Sequence, residues 1–230
     1  MFGLFVLATV IPVAVFGLLA SRQVDDALTE RSYAALGDAT RTYGQALYQR
    51  LSQGAQYLAV RGTQTPLEAN GLLRAGFSDA WGFEDGQLTR ATGPIPEVLL
   101  TELALAELDR PKLVIVDRQV AVVVANPDRR VVFAGIFDPV YLWGDGTKFS
   151  YATDYCVWQS DMLLFCSRTL SEAGAAEVVS QGAANDLSWQ ERGEAWRGAS
   201  WDLFIGSGFE AENWRILAMQ PASVALASLN

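Results

Sequence analysis

The chain opens with nineteen residues that carry no charge, Phe2 to Ala20, and Ser21-Arg22 follows them directly. As an α-helix this run is roughly 28 Å long, about the thickness of the hydrocarbon core of a bilayer. No basic residue precedes it, and Leu18 stands where a signal-peptide cleavage site has a small residue. The run therefore predicts a retained transmembrane helix over residues 1–21. A cleaved signal peptide and a buried helix of a soluble protein are the alternatives.

Composition limits the partners of the remaining chain, which has roughly 210 residues and can form a sizeable core. The net charge is −9, and the sequence contains no cluster of Lys or Arg. A chain of this charge is repelled by phosphate backbones and by anionic lipid surfaces. We therefore expect no nucleic-acid partner, and we expect membrane association through the apolar run alone.

The two cysteines, Cys156 and Cys166, stand in two β-rich runs on either side of a short polar turn. If Ser160-Asp161-Met162 is a three-residue loop, Gln159 lies opposite Leu163 and the cysteines lie opposite each other. Opposed Cβ atoms are ~4.5–5.5 Å apart, close to what a disulfide requires. The spacing predicts a disulfide, with two buried free thiols as the alternative. A disulfide indicates an oxidising compartment, so we expect an inner-membrane protein of a bacterium whose main domain faces the periplasm.

A long helix is predicted directly after the apolar run. From Ser21 to Val60 there is no proline, and apolar residues recur at helical spacing with charged residues between them. We assign this helical stalk to residues 22–62. Two helices broken near Gly37 or Gly44 are the alternative.

The following residues predict an antiparallel sheet, because short Val- and Ile-rich runs joined by tight turns cannot pair in parallel. The clearest turn is Glu84-Asp85-Gly86, since Asp-Gly favours the positive φ of a hairpin. Strands are predicted at Phe77–Phe83, Gln87–Arg90, Lys112–Val116, Val120–Ala125, Arg130–Phe137, the two cysteine runs, Leu187–Gln190, Ala195–Ile205 and Trp214–Met219.

Helices are predicted between these strands from capping signals. Pro96–Leu108 has proline in its first turn, Asp138-Pro139 is an N-cap followed by proline at N1, and Ser171 caps a helix that ends near Gln181. Residues 222–230 read as the start of a further helix. The predicted fold class is α+β, in which the transmembrane helix and stalk precede a PAS-like antiparallel sheet flanked by helices, and residues 63–221 form one sensor-sized domain.

The sequence lacks histidine and the common catalytic motifs, and nothing in it singles out a pair of carboxylates for acid/base catalysis. The sequence has no histidine, which removes Ser-His-Asp and Cys-His catalysis. It contains neither a P-loop nor a G-x-G-x-x-G motif, and two cysteines ten residues apart cannot form a four-ligand zinc site. We therefore expect no catalytic residue, no metal and no cofactor, and any catalytic output would lie beyond Asn230.

The layout resembles the extracytoplasmic Cache- or CHASE-like, PAS-related sensor region of bacterial transmembrane signalling proteins. The likeness is carried by Phe2–Ala20, Ser21–Val60, Phe133–Leu142 and Trp214–Pro221. It implies a ligand-binding input domain, a homodimer paired along Ser21–Val60 and a second transmembrane helix after the chain. It also implies an output of the cyclic di-GMP, histidine kinase or chemoreceptor type. The Arg-x-Trp-Tyr pattern of amino-acid-binding double Cache domains is missing, so the resemblance does not imply an amino-acid ligand.

Aromatic side chains with a polar tip suit a ligand pocket, and they are densest between Tyr141 and Trp158. We predict that Tyr141, Trp143, Tyr151 and Asp154 line a small-molecule site. The alternative is that these residues belong to the core. A second function also stays open, a membrane-anchored periplasmic module that docks a protein and binds no small molecule.

Overall fold

The computed structural model describes residues 2–61, 71–72, 75–104, 108–126, 131–145 and 153–227. A long helix, α1 (Phe2–Arg61), precedes two five-stranded antiparallel sheets. The further elements, in chain order, are β1 (Phe77–Glu84), β2 (Gln87–Ala91), α2 (Glu97–Ala104), β3 (Lys112–Val116), β4 (Gln119–Asn126), β5 (Val131–Phe137), α3 (Pro139–Trp143), β6 (Asp154–Gln159), β7 (Met162–Cys166), α4 (Glu172–Gln181), β8 (Leu187–Glu191), β9 (Glu194–Leu203), the 3-10 turn Ile205–Ser207, β10 (Trp214–Pro221) and α5 (Ala222–Ala227).

Helix α1 is continuous, so the predicted long helix is confirmed and the alternative of a break near Gly37 or Gly44 is wrong. Residues 2–20 form its first part. Among the described residues, no helix combines the length and the apolarity that crossing a membrane requires. Membrane crossing by residues 2–20 stays a prediction from the sequence, as do the domain limits drawn above.

The strands form two sheets, whereas the sequence predicted one. The first sheet has the order β2-β1-β5-β4-β3, and the second has the order β7-β6-β10-β9-β8. Counted from its own first strand, each sheet has the order 2-1-5-4-3. The prediction of a single sheet is wrong because β5 already pairs with β1 on one side and β4 on the other. It offers no free edge to β6, which pairs instead with β10.

Both sheets pack one face on α1. Along β4, Val120, Val122 and Val124 belong to the core under α1, while Ala121 and Val123 belong to the opposite face. This alternation is the two-residue period of a strand with both faces covered. In the second sheet, β10 alternates in the same way. The core under α1 is therefore one continuous cluster that joins the two sheets.

The outer face of each sheet has a separate core. Trp81, Phe83 and Leu99 lead the cluster on the first sheet, to which α2 contributes. Trp158, Trp189 and Trp196 lead the cluster on the second sheet, to which α4 contributes. We refer to these faces as the α2 face and the α4 face.

The cysteine hairpin confirms the predicted disulfide and corrects the predicted loop. Cys156 and Cys166 lie opposite each other with their Cα atoms 4.0 Å apart, and they are bonded. Gln159, however, pairs with Met162 rather than with Leu163. The turn is shorter than predicted because Ser160 adopts a positive φ of 50°. A bulge after Val157 then restores the register at the cysteines.

The predicted helix starts and one hairpin turn are confirmed. Asp138 Oδ1 accepts a hydrogen bond from the Tyr141 amide at 2.9 Å, and Ser171 Oγ accepts one from the Gly174 amide at 3.1 Å. Each serves as the N-cap of its helix. Asp85 and Gly86 both have positive φ, as a two-residue hairpin turn requires. Residues 127–130, between β4 and β5, lie outside the described residues.

Two glycines of α1 allow the sheets to approach it closely. A Cβ added at Gly44 would lie 2.6 Å from Cζ3 of Trp201, in the second sheet. A Cβ added at Gly54 would overlap the ring of Phe137 and lie 3.0 Å from Phe77 Cζ, in the first sheet. Each glycine thus admits an aromatic ring of one sheet against the helix backbone.

We predict that Gly44→Ala and Gly54→Ala each lower the free energy of unfolding by about 1–3 kcal/mol, because the added methyl group overpacks a closed contact. Denaturant unfolding followed by circular dichroism measures this. The matched control is Gly37→Ala on the same helix, where a Cβ would lie 3.7 Å from Asn185 Oδ1. Gly37→Ala should raise stability by up to about 1 kcal/mol through helix propensity. Equal effects of the three substitutions would contradict the close packing.

Candidate functional site

The structure places one of the predicted ligand residues, Trp143, in contact with α1. Trp143, in α3, stacks on Phe165 at 5.3 Å and packs against Trp214 at 5.7 Å between ring centroids. Its backbone oxygen accepts a hydrogen bond from the Tyr43 hydroxyl at 2.7 Å. Trp143 thereby joins α1 to the second sheet.

Tyr141 and Asp154 have other surroundings. Tyr141 is half-buried, its ring stacks on Phe137 at 6.3 Å, and burial raises the pKa of its hydroxyl. Asp154 accepts a hydrogen bond from Ser167 Oγ at 2.8 Å. Tyr151 lies outside the described residues. The structure thus brings Tyr141 and Trp143 onto one short helix and places Asp154 at the start of β6. A ligand role for the set stays a prediction.

An open cleft of about 500 Å³ lies at one end of the second sheet. We call it the second-sheet cleft. It is lined by the β6–β7 turn, the adjacent ends of β9 and β10, the segment before β10 and one residue of α4. Its lining residues are Ser160, Asp161, Val179, Asp202, Ala211, Glu212, Asn213 and Arg215.

Strand pairing determines which side chains meet in this cleft. Arg215 in β10 lies opposite Asp202 in β9, and Arg215 Nε donates to Asp202 Oδ1 at 3.0 Å. Both alternate with the residues under α1, so they lie on the α4 face. At the rim, Glu212 accepts hydrogen bonds from Ser160 Oγ at 2.8 Å and from Gln159 Nε2 at 3.5 Å. The cleft therefore combines an ion pair with a carboxylate held by neutral donors.

A second cleft, of about 540 Å³, runs along α1 beside Asn185 and Asp186. We call it the stalk cleft. Its charged residues on the helix include Asp26, Glu30 and Arg41. Its lining has more acidic than basic side chains. On its wall, Cζ of Arg197 lies 5.8 Å from the centroid of the Tyr33 ring. Within the described part of the chain, no group of three or more Cys, Asp or Glu side chains is arranged to hold a metal ion.

The segment 204–213, which precedes β10, connects the second-sheet cleft to the rest of the molecule. Glu210 exchanges backbone hydrogen bonds with the chain entering β3, accepting from the Leu113 amide at 3.2 Å and donating to the Pro111 oxygen at 2.8 Å. Arg110 Nη1 donates to the Gly206 oxygen at 2.8 Å. Gly208 lies against the Tyr48 hydroxyl of α1. One end of the cleft wall is thus fixed to the first sheet and to α1.

Sequence reasoning missed the second-sheet cleft because its residues are separated along the chain. Asp202 and Arg215 meet only through the pairing of β9 with β10, and Ser160 and Glu212 meet only through the pairing of β6 with β10. One sequence signal for the cleft was available: Asp202 and Arg215 carry opposite charges and lie at facing ends of two predicted strands. That signal becomes specific only once the strand order is known.

Neither a protein-family model nor a curated protein sequence matches this chain. In fold, the chain is similar to solved ligand-binding domains of bacterial chemoreceptors. The CtaA domain of Pseudomonas fluorescens, in complex with L-isoleucine, has a TM-score of 0.59 and 13% identity, covering 88% of this chain and 98% of that one. The Tlp3 domain of Campylobacter jejuni, in complex with 4-methylisoleucine, has a TM-score of 0.56 and 11% identity, covering 86% and 94%.

A third similar structure is the ligand-binding domain of the Pseudomonas aeruginosa PAO1 amino acid chemoreceptor PctB, in complex with L-Arg. It has a TM-score of 0.54 and 14% identity, covering 85% of this chain and 97% of that one. At these identities the likeness shows the fold alone. The predicted Cache-like architecture is confirmed as a fold, in the form of a long helix followed by two antiparallel sheets.

We predict that Tyr43→Phe lowers the free energy of unfolding by about 1 kcal/mol at neutral pH, because the Trp143 oxygen loses its hydrogen-bond donor. Desolvation by burial raises the pKa of Tyr43 well above its ordinary value, and burial also raises that of Tyr155, which stacks on it at 4.5 Å. Both hydroxyls stay neutral in the folded state at a pH where the unfolded chain ionises.

The stability that these two neutral tyrosines contribute is therefore fully present below about pH 10, the ordinary tyrosine pKa. It is lost as the pH rises further. Tyr43→Phe should make this alkaline loss shallower, as measured by urea unfolding between pH 8 and pH 11. Tyr57→Phe on the same helix is the control, since the Tyr57 hydroxyl makes no hydrogen bond within the described residues. An unchanged slope in Tyr43→Phe would contradict the assignment.

Proposed function

We propose that this chain is the extracytoplasmic, non-catalytic sensor domain of a bacterial signalling receptor and that it binds a small molecule. The observation that supports the proposal most directly is the fold, which matches chemoreceptor ligand-binding domains over more than four-fifths of the chain. The disulfide between Cys156 and Cys166 fits an oxidising compartment. The uncharged run at residues 2–20 fits a membrane anchor.

The arrangement of the chain ends gives this sensor a route for its signal. β10 leaves the second-sheet cleft and leads into α5, which contacts α1. Just before α5, Gln220 Nε2 donates to Ser32 Oγ of α1 at 2.7 Å. A ligand that favours one packing of β10 would shift the relative position of α5 and α1. Two places compete for that ligand, the predicted set Tyr141, Trp143, Tyr151 and Asp154 and the second-sheet cleft.

A ligand that binds only the folded domain must stabilise it. We expect at least one compound from a panel of amino acids, amines and organic acids to raise the melting temperature by several degrees at 100 times its dissociation constant, which corresponds to about 2.7 kcal/mol. Differential scanning fluorimetry finds the compound, and isothermal titration calorimetry confirms a single site. If no compound binds while a protein partner does, the chain is the ligand-free interaction module.

Removal of residues 1–21 tests the proposed anchor and the proposed homodimer together. The full chain should sediment with bacterial membranes, and the shortened chain should be recovered from the periplasm when it is exported by a cleavable signal. The shortened chain should then sediment as a dimer paired along what remains of the stretch Ser21–Val60. A full chain that stays soluble would contradict the anchor, and a monomer at high concentration would contradict the dimer.

The finer part of the proposal concerns the output. The resemblance to receptors that control cyclic di-GMP or a phosphorelay supports one of these two outputs. Two assays distinguish these outputs. One measures the cellular level of cyclic di-GMP, and the other measures phosphotransfer in membranes, each with and without the identified ligand. A response in neither assay would contradict both outputs.

A further inference from the structure

We propose that two copies of this chain pair in parallel through one uncharged stripe on the exposed face of α1, and that the membrane-near part of the helix stays outside this contact. The stripe, which we call the neutral stripe, consists of Thr42, Gln45, Gln49 and Gln56, which are exposed, and of Ser52 and Ala59, which are half-buried. This inference rests on the proposed homodimer. It names the contacting surface and confines it to the second half of residues 21–60.

The neutral stripe lies on the side of α1 that faces away from both sheets. Leu47 and Leu51 are almost fully buried on the sheet side of the helix. Gln45, Gln49 and Gln56 lie about half a turn away around the helix and are exposed. Among the described residues, these three amides have no hydrogen-bond partner. Their donors and acceptors are therefore available to a second molecule.

The spacing of the neutral stripe matches the seam between two paired helices. Its members follow one another at intervals of three and four residues, the repeat that keeps two helices in contact over several turns. At 1.5 Å per residue the stripe is roughly 26 Å long. A polar seam buries little apolar surface, so the contact is weak in free solution. Two chains anchored in one membrane have a high effective concentration, which makes a weak contact sufficient.

The distribution of charge along α1 selects this stretch of the helix. Residues 22–41 contain the charged side chains Arg22, Asp25, Asp26, Glu30, Arg31, Asp38 and Arg41. Residues 42–60 contain Arg50 alone, and its Nη1 atom donates to the Leu142 oxygen at 2.7 Å. The exposed face of a surface helix normally carries charges. Because the chain has a net charge of −9, its own copy meets the least repulsion where the helix is neutral.

The residue types of the neutral stripe suit a second copy of the same chain. Two chains anchored side by side in one membrane are parallel, and a two-fold axis between their helices sets each seam residue opposite itself. A glutamine amide carries both donors and an acceptor, and a hydroxyl group does so too. Like residues of these types therefore bond to each other, whereas a charged residue at the same place meets its own charge.

Continued toward the membrane, the same spacing brings charged residues into the seam. It passes from Thr42 to Asp38, then to Ala35 and to Arg31, which are all exposed. In a parallel pair Asp38 would face Asp38 and Arg31 would face Arg31, and like charges repel each other. Asp38 has a partner on its own helix in Arg41, at 3.5 Å, so Arg31 is the stronger barrier. The contact therefore ends near Thr42, and the helices lie further apart between there and the membrane.

Disulfide cross-linking of the full chain in bacterial membranes locates the contact. Gln49→Cys and Gln56→Cys should each give a covalent dimer under mild oxidation, because both positions lie opposite their own copies. The native cysteines are bonded to each other, so the wild type should give none. Ala35→Cys, on the same helix face within the charged stretch, should give several-fold less dimer. Equal yields at Ala35 and Gln49 would overturn the confinement of the contact, and no dimer at Gln49 or Gln56 would overturn the neutral stripe.

Charge substitutions then test the chemistry of the stripe. Gln49→Glu sets two carboxylates against each other and should weaken the dimer at least about tenfold, as measured by sedimentation of the full chain in a neutral detergent. Gln49→Lys should weaken it likewise, and a mixture of the two variants should form a mixed dimer, which shows that both variants are folded. Gln23→Glu, exposed on α1 but off the stripe, makes the same charge change and should leave the dimer unaltered.

The outcomes separate the stripe from the receptor. If the chain dimerises and Gln49→Glu leaves the dimer unchanged, the surface is wrong while the homodimer stands. If the full chain is a monomer at high concentration, the homodimer and the neutral stripe both fail. The sensor function depends on neither result, because the ligand panel tests it separately.

Discussion

The structure depends on one buried face of α1, which is shared by both sheets. Leu36, Leu47, Leu51 and Leu58 repeat at helical spacing and are almost fully buried. Each such leucine contributes roughly 1.5–3 kcal/mol when it is removed from water. Thr40, on the same face, satisfies its hydroxyl on the backbone oxygens of Leu36 and Gly37, so it adds no unpaired polar group. Without this face the two sheets would share no common core.

Because α1 carries the shared core, the outer faces of the two sheets can differ without changing that core. One outer face is closed by apolar side chains under α2, and the other ends in a polar cleft beside α4. A fold built from two units of one strand order can thus keep one shared core while its two outer faces differ in polarity. The polar contacts of segment 204–213 add to the shared core in holding the two units together.

Local signals in the sequence were sufficient for the elements. Asp138 and Ser171 cap their helices through their own side chains, and Asp85-Gly86 forms its turn through backbone preference. Such effects act over a few residues and need no knowledge of the fold. The bulge after Val157 differs, because it depends on the balance between a two-residue turn and a disulfide in the same hairpin. A pattern of residue types does not reveal that balance.

The division into two sheets and the second-sheet cleft could not be predicted, for a related reason. Whether β6 extends the first sheet or starts a second one depends on which edges are already paired, and pairing is a long-range property. The same holds for Glu212, whose partners come from a turn more than fifty residues earlier. The sequence prediction placed the site in the segment from Tyr141 to Trp158 because the local density of aromatic residues was the signal that the sequence offered.

The hydrogen bond between Ser32 and Gln220 has a consequence for the order of folding, since its partners are 188 residues apart. α1 is synthesised first, yet its contacts with β9 and β10 require the last strands of the chain. Contacts of such long range form slowly, because a large loop must close before they add stability. The part of α1 that packs on β9 and β10 therefore lacks its partners until the last strands are synthesised, and its burial marks the completion of the domain.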